Sequence, residues 1–279
     1  MADKNLRKSV HVNEISEAAV AGVQGREFYH DPVMLKECLE GLNIKPNGTY
    51  SDCTLGGGGH SYAIAQELNS EGTLHAFDRD DEAVQFATKR LANVAPKFIV
   101  HPVPFSELGN EIEPNTLDGV LYDLGISSHQ VDDSSRGFTF VGDNPLDLRM
   151  DRRENVSAQE WLRTVSEDDF AAALRKNADM DRAFKLATRI KEKVAEIAAE
   201  GRDVLPSDIK AVVEAVFPDK RRDANSLLAR VFQAIRMEVN GELKQIEDSI
   251  RAAVDCLKVG GRLAESPSSC AGWSSRRYW

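Results

Sequence analysis

The sequence has no long apolar run. Nothing in its 279 residues approaches the ~18 consecutive apolar positions that a membrane-crossing helix needs, so no membrane partner is expected. The opening segment, MADKNLRKSVHVNEISEAAV, carries charge but no apolar core, so no secretory leader is expected either. Cysteine is scarce. Cys38, Cys53, Cys256 and Cys270 are the four, and none of them falls in C-x-x-C spacing. That pattern suits reduced thiols in a cytoplasmic protein and argues against a zinc site or a disulfide framework, so no metal is expected. Positive charge is also short: 35 Lys and Arg against 45 Asp and Glu leave a net charge of −10, which argues mildly against a chain coated in nucleic acid.

What is present is organised around Thr49 to His60, TYSDCTLGGGGH. A short strand breaks into four glycines and then into a helix opening at Ser61. A strand, a glycine turn and a helix bring backbone N–H groups close to a bound ligand, and a Cβ in the turn would obstruct that approach. The spacing is not G-x-G-x-x-G and no lysine follows, so neither a dinucleotide nor a nucleoside triphosphate is the first expectation. Asp52, just before the glycines, suits a ligand with a cationic end such as S-adenosylmethionine; a strand-to-helix turn without a ligand is the plainer alternative. The next strand, from Thr73, ends on Asp78, twenty residues after Gly58. An acid at that distance accepts hydrogen bonds from a ribose in doubly wound sheets. Asp80 reads as the N-cap of the following amphipathic helix.

Taken in order, the chain gives residues 1–25 as a mobile extension and a helix over Leu35 to Leu42. His30 is either a proton-transfer group or a loop residue that packs or caps. Strands follow at Lys97 to His101 and at Leu117 to Asp123. Phe105, between them, lies against a flat ring such as adenine or in the core. Four strands alternating with helices predict a parallel α/β sheet, with ligands at the carboxyl ends of its strands. Residues 123–151 form a dense polar stretch too long for a simple connection. Helices then follow without strands, at Ser157 and Ser166 behind capping-box patterns, along Phe184, Ala187, Ile190, Val194 and Ile197, and from Pro206. Residues 132–229 therefore read as an all-helical insertion between a first core segment, 26–131, and a second, 230–263. From Arg175 to Arg236 there are 14 Lys and Arg against 10 Asp and Glu, a charge of +4, with Lys220, Arg221 and Arg222 as the densest run. Such a face would hold a phosphate backbone, or it is a solvated helix surface. Phe232 to Leu257 carries one apolar stripe and reads as a single crossover helix with Gly241 as its weak point. A fifth strand starts at Arg262, and 264–279 is an atypical tail.

The motifs His30 to Val33, Asp52 to Ser61, Phe77 to Asp80, Asp118 to Gln130, Ser135 to Phe138, Asn144 to Asp151 and Phe232 to Leu243 together resemble the RsmH/MraW family of small-subunit ribosomal RNA cytosine-N4 methyltransferases. The resemblance covers residues 30–263. It implies a Rossmann-like, S-adenosylmethionine-dependent core with an inserted helical domain, and as substrate a decoding-centre cytidine of the 16S rRNA in the small ribosomal subunit. Carried over residue by residue, the cofactor contacts fall on Gly58, Gly59, His60, Asp78, Phe105, Asp123 and Gln130. Two segments depart from the family: Lys176 to Asp181 inside the insertion, and everything after Leu263, where further strands of the sheet are missing or replaced. That departure leaves the strand at Val120 to Tyr122 nearly an edge of the sheet.

The exocyclic amine of cytosine is a weak nucleophile, because its lone pair is delocalised into the ring. Its methylation needs in-line placement and acceptors for its hydrogens rather than a covalent residue. Asp123, Ser127 and Ser128, with Asp147 and Arg149 from the dense loop, are the candidates for placing the substrate; a structural ion pair is the alternative for the last two. Lys220, Arg221 and Arg222 are the candidate RNA contacts. A small-molecule methyltransferase and a cofactor-binding protein without activity are the rival readings. A dimer is compatible with the sequence.

Overall fold

A computed structural model describes residues 10–11, 32–139, 144–153 and 156–266. The expectations for His30, Cys270 and the tail beyond Ser266 lie outside these residues, as do those for all of the N-terminal extension except Val10 and His11. The chain divides into two compact units, one running to Ser128 and resuming at Lys244, the other comprising His129–Leu243.

The first unit is built on a sheet. Its strands are β1 (Val10–His11), β2 (Thr49–Asp52), β3 (Thr73–Phe77), β4 (Lys97–His101), β5 (Leu117–Asp123) and β6 (Leu257–Ser266), in the order β1-β4-β3-β2-β5-β6. β1 pairs antiparallel at the edge, and the other five are parallel. β5 is buried along six of its seven residues, as a strand covered on both faces must be. Alternate side chains feed two cores. Leu121 joins Tyr50, Ile64, Leu74 and Phe98 on one face, while Val120 and Tyr122 join Phe77, Leu108 and Cys256 on the other. Helices α1 (Leu35–Leu42), α2 (Gly59–Glu67) and α3 (Asp81–Arg90) follow the sequence expectation closely, with α4 (Leu108–Glu111) after them. Asp80 caps α3 by accepting the Glu82 N–H at 3.1 Å. Cys38, Cys53 and Cys256 are buried free thiols, and burial pushes that of Cys53 up to about 12.

Two expectations for this unit are corrected. The fifth parallel strand starts at Leu257 rather than at Arg262 and runs to Ser266, into the stretch read as an atypical tail, and Arg262 to Ser266 pair without interruption against Gly119 to Asp123. β5 is therefore an interior strand rather than nearly an edge. At its other end the buried Asp118 carboxylate takes hydrogen bonds from Lys258 Nζ (2.6 Å), Lys45 Nζ (2.9 Å) and the Thr49 N–H (3.0 Å). Burial opposes its charge, but these donors hold the carboxyl down at about 2.

The second unit is helical, with no strand among its described residues. It contains α6 (Ala158–Thr164), α7 (Glu167–Ala178), α8 (Ala183–Ala199), α9 (Pro206–Val216) and α10 (Ala224–Val239); the short α5 (Ser128–Asp132) leads into it. Ser157 and Glu160 form the expected capping box at α6, and Ser166 caps α7. α8 buries Leu186, Ala187, Ile190, Val194 and Ile197 but turns Phe184 outward, which corrects the start of its stripe. α10 packs on α6, α7 and α9, so the helical unit extends to Leu243 rather than to about 229.

The single crossover helix expected over Phe232 to Leu257 is two. α10 ends at Val239, and α11 (Glu242–Cys256) begins after Gly241, whose φ is +60°. The break has identifiable causes. Buried Asn240 accepts the Met150 N–H at 2.8 Å and donates to the carbonyls of Leu148 (2.7 Å) and Arg236 (2.8 Å). Arg236 and Glu242 then bridge the gap in a two-pronged ion pair at 2.7 and 3.0 Å.

Candidate active site

The sheet changes direction between β2 and β5. From β2 the chain moves outward through β3 and β4, and it then crosses over to β5 and β6 on the opposite side. Ligands of open α/β sheets bind at such a reversal, beyond the carboxyl ends of the strands. Hydrogen bonds draw the three central strand tips together there. The Cys53 N–H donates to the Leu121 carbonyl at 2.9 Å, the Leu55 N–H to the Phe77 carbonyl at 3.0 Å, and the Asp123 N–H to Thr54 Oγ1 at 2.7 Å.

The glycine turn occupies the reversal, and its glycines have different reasons. Gly58 sits at φ +73°, and a Cβ on it would lie 2.9 Å from Leu91 Cδ1. A Cβ on Gly59 would lie 2.5 Å from Pro32 Cγ. These two, the expected cofactor contacts, admit close packing of α3 and of the Pro32 segment. Gly57 alone of the four has open space where its Cβ would be, so the free approach to the backbone is there.

Asp78 stands at the tip of β3, half-buried, and is divided between two backbone donors. Its Oδ2 accepts the Gly56 N–H at 2.8 Å and its Oδ1 the Asp80 N–H at 2.9 Å. Burial outweighs these bonds and raises its carboxyl from 3.8 to about 6. Asp52 corrects the expectation made for it. It is 0% exposed, with Oδ2 on Ser61 Oγ (2.6 Å) and Oδ1 on the Thr54 N–H (3.0 Å) and hydroxyl (3.3 Å). It braces β2 against the first turn of α2 and is not presented to a ligand's cationic end.

His60 is buried, with Nε2 3.2 Å from the Val33 carbonyl and Nδ1 3.5 Å from Asp123 Oδ2. The Asp123 carboxylate, about a third exposed, is thus at the site beside it. Ser127 approaches the turn, its Cβ lying 3.8 Å from the position a Cβ on Gly56 would take. Phe105 packs on the core edge-on to Tyr122, ring centroids 5.8 Å apart, and stays partly exposed at the end of β4. Gly58, Gly59, His60, Asp78, Phe105, Asp123 and Ser127 therefore all belong to the sheet unit and its strand tips.

The remaining candidates belong elsewhere. Gln130 is buried on α5 within the helical unit, and Ser128 is the first residue of that helix. Asp147 and Arg149 pair with each other, Nε to Oδ1 at 2.6 Å and Nη2 to Oδ2 at 3.0 Å. The hydrogen bonds to Asp147 raise the Arg149 guanidinium further. Their loop is ordered by residues whose role the sequence did not disclose. Arg136, 1% exposed, donates to the carbonyls of Arg149 and Met150, and a Cβ on Gly137 would lie 2.6 Å from the Asp147 nitrogen. Lys220 is engaged by Asp181 at 3.2 Å and lies 5.8 Å from the Phe217 ring, while Arg222 is exposed and Arg221 shares their 3-10 turn. Thr54, Ser61 and Pro32 are further residues that sequence reasoning missed at the turn. Thr54 and Ser61 lie inside the glycine motif, but their bonds to Asp52 and Asp123 had no local signal.

S-adenosylmethionine fits what is present: an open backbone approach at Gly57, a desolvated acceptor at Asp78, and an aromatic edge at Phe105. The parallel sheet with its glycine turn at the reversal defines a Rossmann-like, S-adenosylmethionine-dependent methyltransferase core. The chain belongs to the MraW methylase family, whose model matches residues 27–265. Among solved structures it is similar to an rRNA methylase from Clostridium thermocellum, at 23% identity over 30% of this chain and 46% of that one, with a TM-score of 0.29. A mycolic acid cyclopropane synthase solved with SAH matches at 13% identity over 80% of this chain and 76% of its own, with a TM-score of 0.30. A phosphoethanolamine N-methyltransferase from Haemonchus contortus, solved with S-adenosyl-L-methionine, matches at 14% identity over 77% and 49%, with a TM-score of 0.29. The chain thus spans less than half the length of that rRNA methylase. Among the described residues, no helix is long and apolar enough to cross a membrane.

Proposed function

We propose that this chain methylates the exocyclic N4 of a decoding-centre cytidine of 16S rRNA, within the small ribosomal subunit. The observation that carries the reading is the meeting of the glycine turn, Asp78 and Asp123 at the sheet reversal in a chain of the MraW methylase family. S-adenosylmethionine, when bound, supplies a methyl group on a sulfonium, which is electrophilic without help from a metal or a covalent residue. What the chain must add is placement, exclusion of water and an acceptor for the amine hydrogens.

Asp78 would accept from the ribose hydroxyls through the lone pairs that Gly56 and Asp80 leave open, and Phe105 would lie against the adenine. The turn at Gly56 to Gly58 would hold the cofactor through its backbone, with His60 as a further contact of the same unit. Asp123, steadied through its N–H by Thr54 and through its carboxylate by His60, would accept one amine proton as the nitrogen–carbon bond forms and the sulfonium–methyl bond breaks, with S-adenosylhomocysteine as the leaving group. Ser127 and Ser128 place the base. Asp147 and Arg149, paired with each other, act on substrate through the loop they stiffen. The base leaves its stack to reach such a site. The helical unit holds the RNA through Lys220, Arg221 and Arg222. It carries the local +4 charge in a chain of −10.

The test is transfer of labelled methyl from S-adenosylmethionine to isolated small subunits, followed by digestion and mass analysis of the nucleosides. Label in N4-methylated cytidine is expected. Label on another base, or only on free small molecules, overturns the proposal.

A further inference from the structure

The glycine turn is tethered at three points. The Gly56 N–H donates to Asp78 and the Gly58 N–H to the Leu55 carbonyl at 2.7 Å, both within the site already described. The third tether comes from outside it. Arg90, the last residue of α3, donates from Nη1 to the Gly57 carbonyl at 2.9 Å. Its guanidinium carbon lies 5.6 Å from the centre of the Tyr62 ring on α2, and that residue is 40% exposed.

The arrangement has a physical logic. Glycine peptides are the most mobile in a chain, and here four glycines follow one another where a ligand must be met by backbone. A turn that wanders before binding has to be ordered during binding, and that cost appears as lost affinity. A guanidinium suits the task because it is planar: its face stacks on an aromatic ring while its edge donates to a carbonyl. Gly57 is also the glycine with open space at its Cβ position, so the tether falls where the ligand's approach is freest.

We propose that Arg90, seated on Tyr62, is a positioning residue for the cofactor turn. By holding the Gly57 carbonyl it fixes the plane of the peptide between Gly57 and Gly58, and so presents the turn in its binding form before the ligand arrives. The inference rests on the reading of this turn as the S-adenosylmethionine site. Exposed contacts of this kind contribute little to global stability, so the effect belongs to local order and to affinity rather than to melting.

Two measurements on the full chain test it: amide hydrogen exchange across Gly56 to Gly58 without ligand, and calorimetric titration with S-adenosylhomocysteine. Arg90→Ala is expected to speed exchange of the Gly58 amide and to weaken binding about fivefold, with a melting temperature within about 2 °C of wild type. Tyr62→Ala moves both readouts the same way by less, Tyr62→Phe leaves them unchanged, and Arg90→Lys, which can donate but not stack, falls between. Unchanged exchange in Arg90→Ala overturns the clamp, whatever binds. Weaker binding that merely follows a lowered melting temperature, with the turn's exchange no faster than its surroundings, reduces Arg90 to a general structural role and also overturns it. Wild type that fails to bind S-adenosylhomocysteine while Arg90→Ala still loosens the turn counts against the cofactor reading and not against the clamp.

Discussion

Asp78 and Asp80 are two positions apart and perform different tasks. Asp80 is an N-cap, so Asp80→Ala is expected to lower stability by about 1 kcal/mol and leave cofactor affinity near wild type. Asp78→Ala removes the acceptor that holds the Gly56 N–H and faces the proposed ribose. S-adenosylhomocysteine affinity is expected to fall roughly tenfold or more. Titration calorimetry on the two variants decides, and equal losses would refute the ribose assignment. The Asp78 carboxyl, raised to about 6, adds a dependence on pH with a definite sign. Without ligand, its contribution to stability is complete below the unfolded value of 3.8 and is lost as pH rises through about 6. Ligand hydroxyls donate to the ionised form, so binding runs the other way, with affinity rising about tenfold from pH 5 to 7. Asp78→Asn should flatten that profile; a wild-type profile already flat would separate Asp78 from the ligand. The strand tip at Asp78 and the helix cap at Asp80 were both legible because each is a local pattern. Asp52 misled for the opposite reason. Its occupation by Ser61 and Thr54 is a fact of burial, which adjacency to glycines does not encode.

Among the elements, strands and helices that end on local signals were read almost residue for residue, as with β4, β5 and α1. The break between α10 and α11 was not. Gly241 marked the place, but Asn240 takes its partners from Leu148 and Met150, far back in the chain. A glycine in a helical stripe does not by itself distinguish a soft spot from an end. Glycines at positive φ can nevertheless be ranked by what surrounds them. Gly241, at φ +60°, has nothing within 4 Å of its missing Cβ, whereas Gly137, at φ +74°, faces the Asp147 nitrogen at 2.6 Å and the Pro145 carbonyl at 2.8 Å. Gly241→Ala is expected to cost about 1 kcal/mol. Gly137→Ala, which adds overpacking against backbone, should cost about 2–4 kcal/mol. Urea denaturation measures both, and equal losses would show that the loop yields where the contacts say it cannot.

At the scale of the whole molecule, the sequence disclosed a helical insertion and its charge but misplaced its limits. α10 carries an apolar stripe that suits a sheet as well as other helices, and only its packing on α6, α7 and α9 assigns it. The charge prediction is sharpened by the pairing of Lys220 with Asp181. Replacing Lys220, Arg221 and Arg222 together by glutamine should weaken binding to small subunits. It should also lower the slope of log affinity against log salt by about 2 while sparing cofactor affinity. Lys220→Gln alone should account for the smallest share, because its charge is already engaged. Filter binding across salt concentrations checks this, and an unchanged slope would make the run a solvated surface.

The order of the strands also sets a timetable during synthesis. β2, β3, β4 and β5 leave the ribosome in succession, but β6, the remaining neighbour of β5, is separated from it by the entire helical unit. At about 5–20 residues per second, the stretch from Asp123 to Leu257 takes roughly 7–27 s to translate. For that interval the nascent chain carries β5, six of whose seven residues end up buried, with one flank unmatched. The helical unit therefore emerges while the sheet is half-finished, and any delay in translating it prolongs the period in which the place kept for β6 can be occupied by another apolar strand.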